Sequence, residues 1–419
     1  MKGWKVNPVE FDSVFNGSSS TMGWGSADIV EMFAEGVPHM DCHTYDSYSF
    51  GENAPQLDEW VFQRVEALFA SSPSDPAVRD RLATPRSIFF LHLLATDTLG
   101  HTRRPHSAEY SGQLSLVDAA IHRLVTRVEK HYRDGRTAWV FTSDHGMTSK
   151  GSHGDGEPAN TETPYVVWGS GISKSRSSTQ QPAPQLNPLH PLKNDGRMDI
   201  EQADMAPLMA ALLGIHFPMN SVGVLPIDLL DASEEIKGKQ LAANAEQIHA
   251  QFSRKGLLKR SVSKLWFSPF PGFSADPSSP ESPDGFRSRI ASALRLRKWG
   301  LAQQTALQWI QRSLEGLQYL QTYDRALLFA VVSIGYAGWA LVLLLECFRR
   351  SSSSSSDPSF DSYSDRLSSF SSNSGIKSAP FFSFLSFSAS QLLLNAGAYL
   401  LLLLQGAPVL YYLYITFPL

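Results

Sequence analysis

Two aspartates and three histidines have the types and spacing of ligands for divalent metal ions. Asp97 and His101 lie four residues apart in TDTLGH, Asp144 and His145 are adjacent in TSDHGM, and His153 sits in GSHG. Imidazole and carboxylate together suit zinc, and carboxylate also suits manganese. A pair of such ions stabilises both the entering and the leaving oxygen of an in-line displacement at phosphorus. Asp97, His101 and His153 are expected to hold one ion. Asp144 and His145 are expected to share in a second, which needs at least one further donor that the downstream sequence does not offer. Taken singly, each residue has an ordinary explanation, because an aspartate after a strand often caps a helix and most histidines are simply satisfied polar groups. Three such clusters at successive strand ends leave that explanation little room. His92, inside an apolar run, reads as structural, and His106, His122 and His131 receive no role.

The elements that must position these residues alternate between strand and helix over residues 1–172. Residues 88–94 (IFFLHLL) form an apolar run of strand length, and residues 139–141 (WVF) centre a second. Between them Leu114, Val117, Ile121, Leu124 and Val128 recur at three- and four-residue steps, which predicts an amphipathic helix. Strand, helix and strand in this order predict a parallel crossover, so the class is α/β. Asp97 and Asp144 then both follow the carboxyl end of a strand, where open α/β sheets build their sites. The 43 residues from His101 to Asp144 suffice for one helix and a returning strand, so the clusters should become neighbours. A third run at 165–168 adds another strand. Residues 173–198 read as a surface insertion, 200–214 as a helix closed by Gly214, and 216–286 as irregular apart from a polar helix near 233–255. Residues 287–320 are helical and amphipathic.

The chain has 419 residues, enough for two or three domains. Charged residues make up 18%, below the roughly 25% of an ordinary soluble domain. The shortfall is concentrated: residues 326–345 and 378–419 carry no charge at all. Twenty uncharged residues match the ~30 Å of hydrocarbon that a spanning helix must cross. Phe384–Leu404 fits a second span, and Val409–Leu419 begins a third apolar segment. Between the spans, residues 351–374 hold 14 serines in 24 positions and read as a disordered linker. Arg349 and Arg350 place that side in the cytosol and the N-terminal part in a lumen, though Arg312 and Arg325 lie upstream of the same span. The sequon Asn16-Gly17-Ser18 fits a lumenal location. A net charge of −4 gives no footprint for nucleic acid. Cys42 and Cys347 are the only cysteines and are not expected to pair, which excludes a disulfide framework. The first residues, MKGWKVNPVEF, contain no signal-peptide core. Either the first 320 residues stay in the cytosol, or a leading segment precedes Met1.

TDTLGH, TSDHGM and GSHG resemble the metal-binding motifs of the alkaline phosphatase superfamily, which includes phosphodiesterases and phosphoethanolamine transferases. The flanking segments FDSVFN (11–16), WGSADI (24–29), FFLHLLATDTLGHTRRP (89–105), FTSDHGMTSKGSHGDGEP (141–158) and NSVGVLP (220–226) are similar to the family of GPI ethanolamine phosphate transferase 1. The likeness continues more loosely to TYDRALL (322–328). It implies an alkaline-phosphatase-like, mostly parallel sheet flanked by helices, followed by a helical region and transmembrane helices. It implies two divalent ions, zinc or manganese, with Asp97, His101 and His153 on the first and Asp144 and His145 on the second. It implies transfer of phosphoethanolamine from phosphatidylethanolamine to the first mannose of the glycosylphosphatidylinositol precursor, at the endoplasmic-reticulum membrane with a lumenal catalytic domain. In the family a threonine attacks phosphorus and carries the group covalently. That threonine and an early aspartate ligand are expected upstream of Met1, and Thr96, Thr98 and Thr142 are not in its context. The expected organisation is a metal-binding domain at 1–230, a helical connector at 231–325, a span at 326–345, a serine-rich cytosolic loop at 346–378 and the start of a multispan region at 379–419. These residues alone, cut at both ends, are expected to bind one metal well and not to turn over. Two other readings stand beside this one: a metal-dependent phosphodiesterase or phosphatase, and a non-catalytic membrane protein that keeps the fold.

Overall fold

The computed structural model describes residues 12–45, 53–174, 199–263 and 266–354. The chain divides into two compact units, residues 1–252 with 273–314, and residues 253–272 with 315–419. The expected insertion at 173–198 lies almost wholly outside the described residues, as do most of the serine-rich loop and both later apolar segments.

In the first unit, α1 (Val14–Gly17) leads into β1 (Ser20–Ser26), then α2 (Ala27–Ala34) and β2 (Met40–Tyr45). Next come α3 (Pro55–Ser71), α4 (Pro76–Leu82), β3 (Ser87–Leu91), α5 (Ala95–Arg103), α6 (Ala108–Tyr132) and β4 (Ala138–Thr142). A short α7 (Pro158–Thr161) precedes β5 (Tyr165–Gly169). β1 lies between β2 and β3 and is parallel to both, with Thr21 opposite Met40 on one side and Ile88 on the other. All seven residues of β1 are buried, as expected of the centre of a parallel sheet covered on both faces. On one face Met22 and Trp24 pack against Leu57, Val61 and Val65 of α3 and Val117, Leu124 and Val128 of α6. On the other, Gly23 leaves room for Val30 of α2 and Met40 of β2.

β4 does not pair with β3 among the described residues. It pairs antiparallel with β5, Val140 opposite Val167, and Trp139 stacks on Trp168 at 5.8 Å. The expected parallel crossover therefore joins strands of two hydrogen-bonded groups. Residues 143–164, which include α7, connect the two strands, and the cross-strand contacts that favour this pairing are the Trp139–Trp168 stack and the opposed Val140 and Val167. Even so, Trp139 and Phe141 of β4 pack on the same apolar core as Phe89 and Leu91 of β3.

The chain continues through α8 (Met205–Leu213), α9 (Glu234–Val262), α10 (Pro283–Arg295), α11 (Trp299–Gln321) and α12 (Arg325–Ser354), with residues 253–262 of α9 and 315–321 of α11 belonging to the second unit. Gly214 caps α8 with φ +64°. The predicted 287–320 helix is two helices, broken where Arg297 takes φ +55°. In the second unit α12 is long and apolar enough to cross a membrane, and its Phe329, Ile334 and Trp339 are about half or more exposed.

Candidate metal centre

α5 carries the first two candidate ligands. Its N-cap, Leu94, supplies no side-chain acceptor. The cap comes instead from α3: Asp58 Oδ1 accepts the Ala95 N–H at 3.0 Å, and its Oδ2 accepts Gln113 Nε2 of α6 at 2.6 Å. Asp58 is fully buried, and burial pushes its carboxyl up to about 6 against the pull of these hydrogen bonds. Held at its start, α5 places Asp97 and His101 one turn apart on one face, His101 Nε2 lying 3.6 Å from Asp97 Oδ1.

The loop after β4 supplies the rest. Thr148 Oγ1 donates to the Ser152 carbonyl at 3.0 Å and closes a turn in which Gly151 takes φ +72°. That turn aims the Gly151 carbonyl at His101 Nδ1, 2.9 Å away, and brings His153 Nε2 to 3.0 Å from His101 Nε2 and 3.3 Å from Asp97 Oδ1. A carbonyl only accepts, so the His101 proton belongs on Nδ1 and the Nε2 lone pair faces the other two atoms. A tetrahedral zinc with bonds of about 2.0–2.1 Å separates its ligand atoms by about 3.3–3.4 Å. The three edges here, 3.0, 3.3 and 3.6 Å, bracket that value. Asp97 Oδ1 is buried and takes part in no hydrogen bond among the described residues, as a carboxylate oxygen reserved for a cation would be. The donor set thus fits a zinc ion, with the Gly151 carbonyl as the outer partner that fixes the His101 ring.

Asp144 and His145 lie beside this triangle rather than in it. The His145 ring stacks on His153 at 3.8 Å, its Nδ1 reaches the Gly146 carbonyl at 2.9 Å, and its Nε2 lies 3.6 Å from Asp144 Oδ2. The Asp144 side chain is 80% exposed. Among the described residues, Asp97, His101 and His153 are the group whose ligand atoms converge within 4.8 Å. All five sequence candidates therefore fall in one neighbourhood, three with converging ligand atoms and two beside them.

Close backbone approaches hold the loop on the helix. A Cβ at Gly100 would overlap Met147 Sδ, and one at Gly146 would overlap the Ala159 carbonyl. Three contributors carried no sequence motif: Asp58, the Gly151 carbonyl, and Gln202, whose Nε2 lies 2.8 Å from the Asp144 carbonyl and 3.1 Å from that of Ser143. Only Asp58 left a trace, an acidic residue inside the apolar stripe of Leu57, Val61, Phe62 and Val65. His92 ends the pairing of β3, its N–H donating to the Trp24 carbonyl at 2.9 Å. Its Nδ1 is buried without a hydrogen-bond partner, and burial pulls its pKa down against the pull of Asp144, Asp28 and Asp97. Elsewhere Asn16 is exposed on α1, while Ser18 of its sequon is buried and donates to the Phe15 carbonyl at 2.9 Å. Cys42 and Cys347 are both free thiols.

Comparison with known proteins finds a family match within each unit. The sulfatase family matches residues 40–215, which contain all five candidates. Phosphatidylinositolglycan class N (PIG-N) matches residues 315–419, which contain α12. GPI ethanolamine phosphate transferase 1 of Aspergillus oryzae is 42% identical over 345 residues, 80% of this chain and 34% of that protein. The Homo sapiens protein of the same name is 40% identical over 346 residues, 81% of this chain and 37% of its own length. That of Schizosaccharomyces pombe is 40% identical over 344 residues, with shares of 81% and 36%. The chain thus spans about a third of the length of the curated relatives it matches. No solved structure matches it. The triangle of candidate ligands lies inside the sulfatase match and the uncharged helix α12 inside the PIG-N match, and over about four fifths of its length the chain is similar to GPI ethanolamine phosphate transferase 1.

Proposed function

We propose that the protein acts in GPI-anchor biosynthesis, in the transfer of phosphoethanolamine from phosphatidylethanolamine to the first mannose of the glycosylphosphatidylinositol precursor. The observation that carries this reading is the triangle of Asp97 Oδ1, His101 Nε2 and His153 Nε2 in a chain that also bears a membrane-length helix. Asp97, His101 and His153 would hold one zinc, and Asp144 with His145 would contribute to a second. Bound zinc lowers the pKa of a coordinated hydroxyl and neutralises charge gathering on the phosphate oxygens. The chain's own residues supply orientation: the Gly151 carbonyl holds the His101 ring, Asp58 holds the start of α5, and Gln202 holds the strand end before Asp144. A membrane setting suits the reaction, since donor and acceptor are both lipids. Residues 1–230 serve in this reading as the metal-binding domain, 231–325 as a connector and 326–345 as a span of the endoplasmic-reticulum membrane, with the domain in the lumen.

Membranes from cells carrying His101→Ala in the native gene test the reading. They are expected to accumulate GPI precursor lacking phosphoethanolamine on the first mannose. A fully modified precursor would overturn it. The match to the sulfatase family favours a second reading, displacement by water, and the same assay separates the two: hydrolysis releases free phosphoethanolamine without modifying the acceptor.

A further inference from the structure

Residues 253–272 carry five basic side chains, Arg254, Lys255, Lys259, Arg260 and Lys264, and no acidic one. They belong to the same compact unit as α12. In the last turns of α9, Arg254, Leu257, Arg260 and Ser261 recur at three- and four-residue steps and are all exposed. Leu257 is 63% exposed and Trp266, just beyond the helix, 49%. Water is a poor environment for those two side chains, and the charges beside them rule out an ordinary core contact.

The segment is fastened to the start of α12. Tyr323 Oη accepts the Ser268 N–H at 2.6 Å, and Tyr319 Oη donates to the Ser268 carbonyl at 2.9 Å. Phe267 stacks on Tyr323 at 5.7 Å. The Lys259 ammonium pairs with Asp324 and lies 5.3 Å from the Tyr323 ring. Asp324 directly precedes Arg325, the first residue of α12. Basic, aromatic and exposed aliphatic groups are therefore gathered at the N-terminal end of α12.

We propose that residues 253–272 form a collar lying in the headgroup layer of a phospholipid bilayer, around the N-terminal end of α12. The collar rests on the reading of α12 as a membrane span. A bilayer is the occupant that the surroundings select. The patch is continuous with the helix that enters it, and its uniform positive charge complements phosphodiester headgroups. Tryptophan, tyrosine and long basic chains are also the residues that favour that layer. The collar would fix the depth of α12 and limit its tilt.

Spin labels at Leu257→Cys and Trp266→Cys, in the whole chain with Cys42→Ser and Cys347→Ser, test this. The chain is reconstituted in phosphatidylcholine–phosphatidylethanolamine nanodiscs. Ile334→Cys on α12 and Ser115→Cys on α6 serve as references. The ratio of oxygen to nickel-chelate accessibility at 257 and 266 is expected to lie between the two references, several-fold above that at 115. Values equal to that at 115, with 334 lipid-exposed, overturn the collar. An aqueous 334 overturns the span reading and the collar with it. Photo-crosslinking of the unsubstituted chain with diazirine phospholipid gives a check free of mutations. Adducts are expected within 253–272 as well as 326–345, and adducts confined to α12 overturn the proposal.

Discussion

Asp58 shows how a residue without a motif can govern a site. A carboxylate in the apolar stripe of α3 is costly unless its oxygens are filled, and here the Ala95 N–H and Gln113 Nε2 fill them. Asp58→Ala leaves both donors buried and unpaired, at a cost of about 1–3 kcal/mol, and loosens the start of α5. Asp58→Asn should be milder, because Gln113 Oε1 is buried without a partner and a flipped amide can accept from the new one. The carboxyl also predicts a pH dependence. Its pKa is raised from 3.8 to about 6, so the folded state holds the proton more tightly than the unfolded chain. The stability it contributes is complete below about 4 and is lost as pH rises through about 6. Pulse proteolysis should find the protein gaining stability over Asp58→Asn as pH falls from 7 to 4, by at most about 3 kcal/mol. A constant difference would refute this assignment. For the ligands themselves, His153→Ala is expected to cut zinc affinity by more than the ~10–100-fold typical of losing an outer-shell partner, as read by competition with a chromogenic chelator. The five ligand-type residues were legible in the sequence because side-chain chemistry recurs at strand ends. Gln202 and the Gly151 carbonyl were not, because they act on or through backbone groups that any residue carries.

Among the elements, the turn at 148–152 decides whether the triangle closes. Gly151 takes a positive φ, and a Cβ there would press on the Gly100 carbonyl and the Arg104 side chain. Gly151→Ala therefore carries both backbone strain and a clash, of order 1–3 kcal/mol. The turn should yield first, moving the carbonyl off His101, so zinc binding weakens while the fold survives. Calorimetric titration beside a thermal melt separates these effects, and unchanged zinc affinity would count against the turn. Apolar periodicity made α6 legible, and Val117, Leu124 and Val128 are indeed buried, whereas Leu114 stays 49% exposed, the buried position beside it being the polar Gln113 that bonds Asp58. The strand expected to run to residue 94 ends at Leu91, and the remaining apolar residues lead into α5. Local composition cannot mark that border, since Leu93 and Leu94 join the same core as the strand. Nor could it show that β4 would turn back on β5, because residues 143–164 between them are long enough for either strand direction.

For the whole molecule, the uncharged run at 326–345 was the most legible feature, and α12 contains it entirely. Length and lack of charge are properties of the chain alone, so no tertiary contact can disguise them. Topology is a separate question, and the lumenal reading predicts it. In sealed microsomes, added protease should cut within the serine-rich residues 351–374 and leave the N-terminal part protected. That protected part should shift on endoglycosidase treatment, and Asn16→Gln should abolish the shift. Digestion of residues 1–320 from outside would reverse the orientation.

The contact between Gly100 and Met147 makes the site vulnerable to oxidants. Met147 Sδ occupies the space a glycine leaves on α5, so an oxygen added to that sulfur would put a polar group at the contact that holds the loop to the helix. Mild peroxide should weaken zinc binding, methionine sulfoxide reductase should restore it, and Met147→Leu should be insensitive to both. A single thioether would then report the redox state of the compartment to a centre that performs no redox chemistry itself.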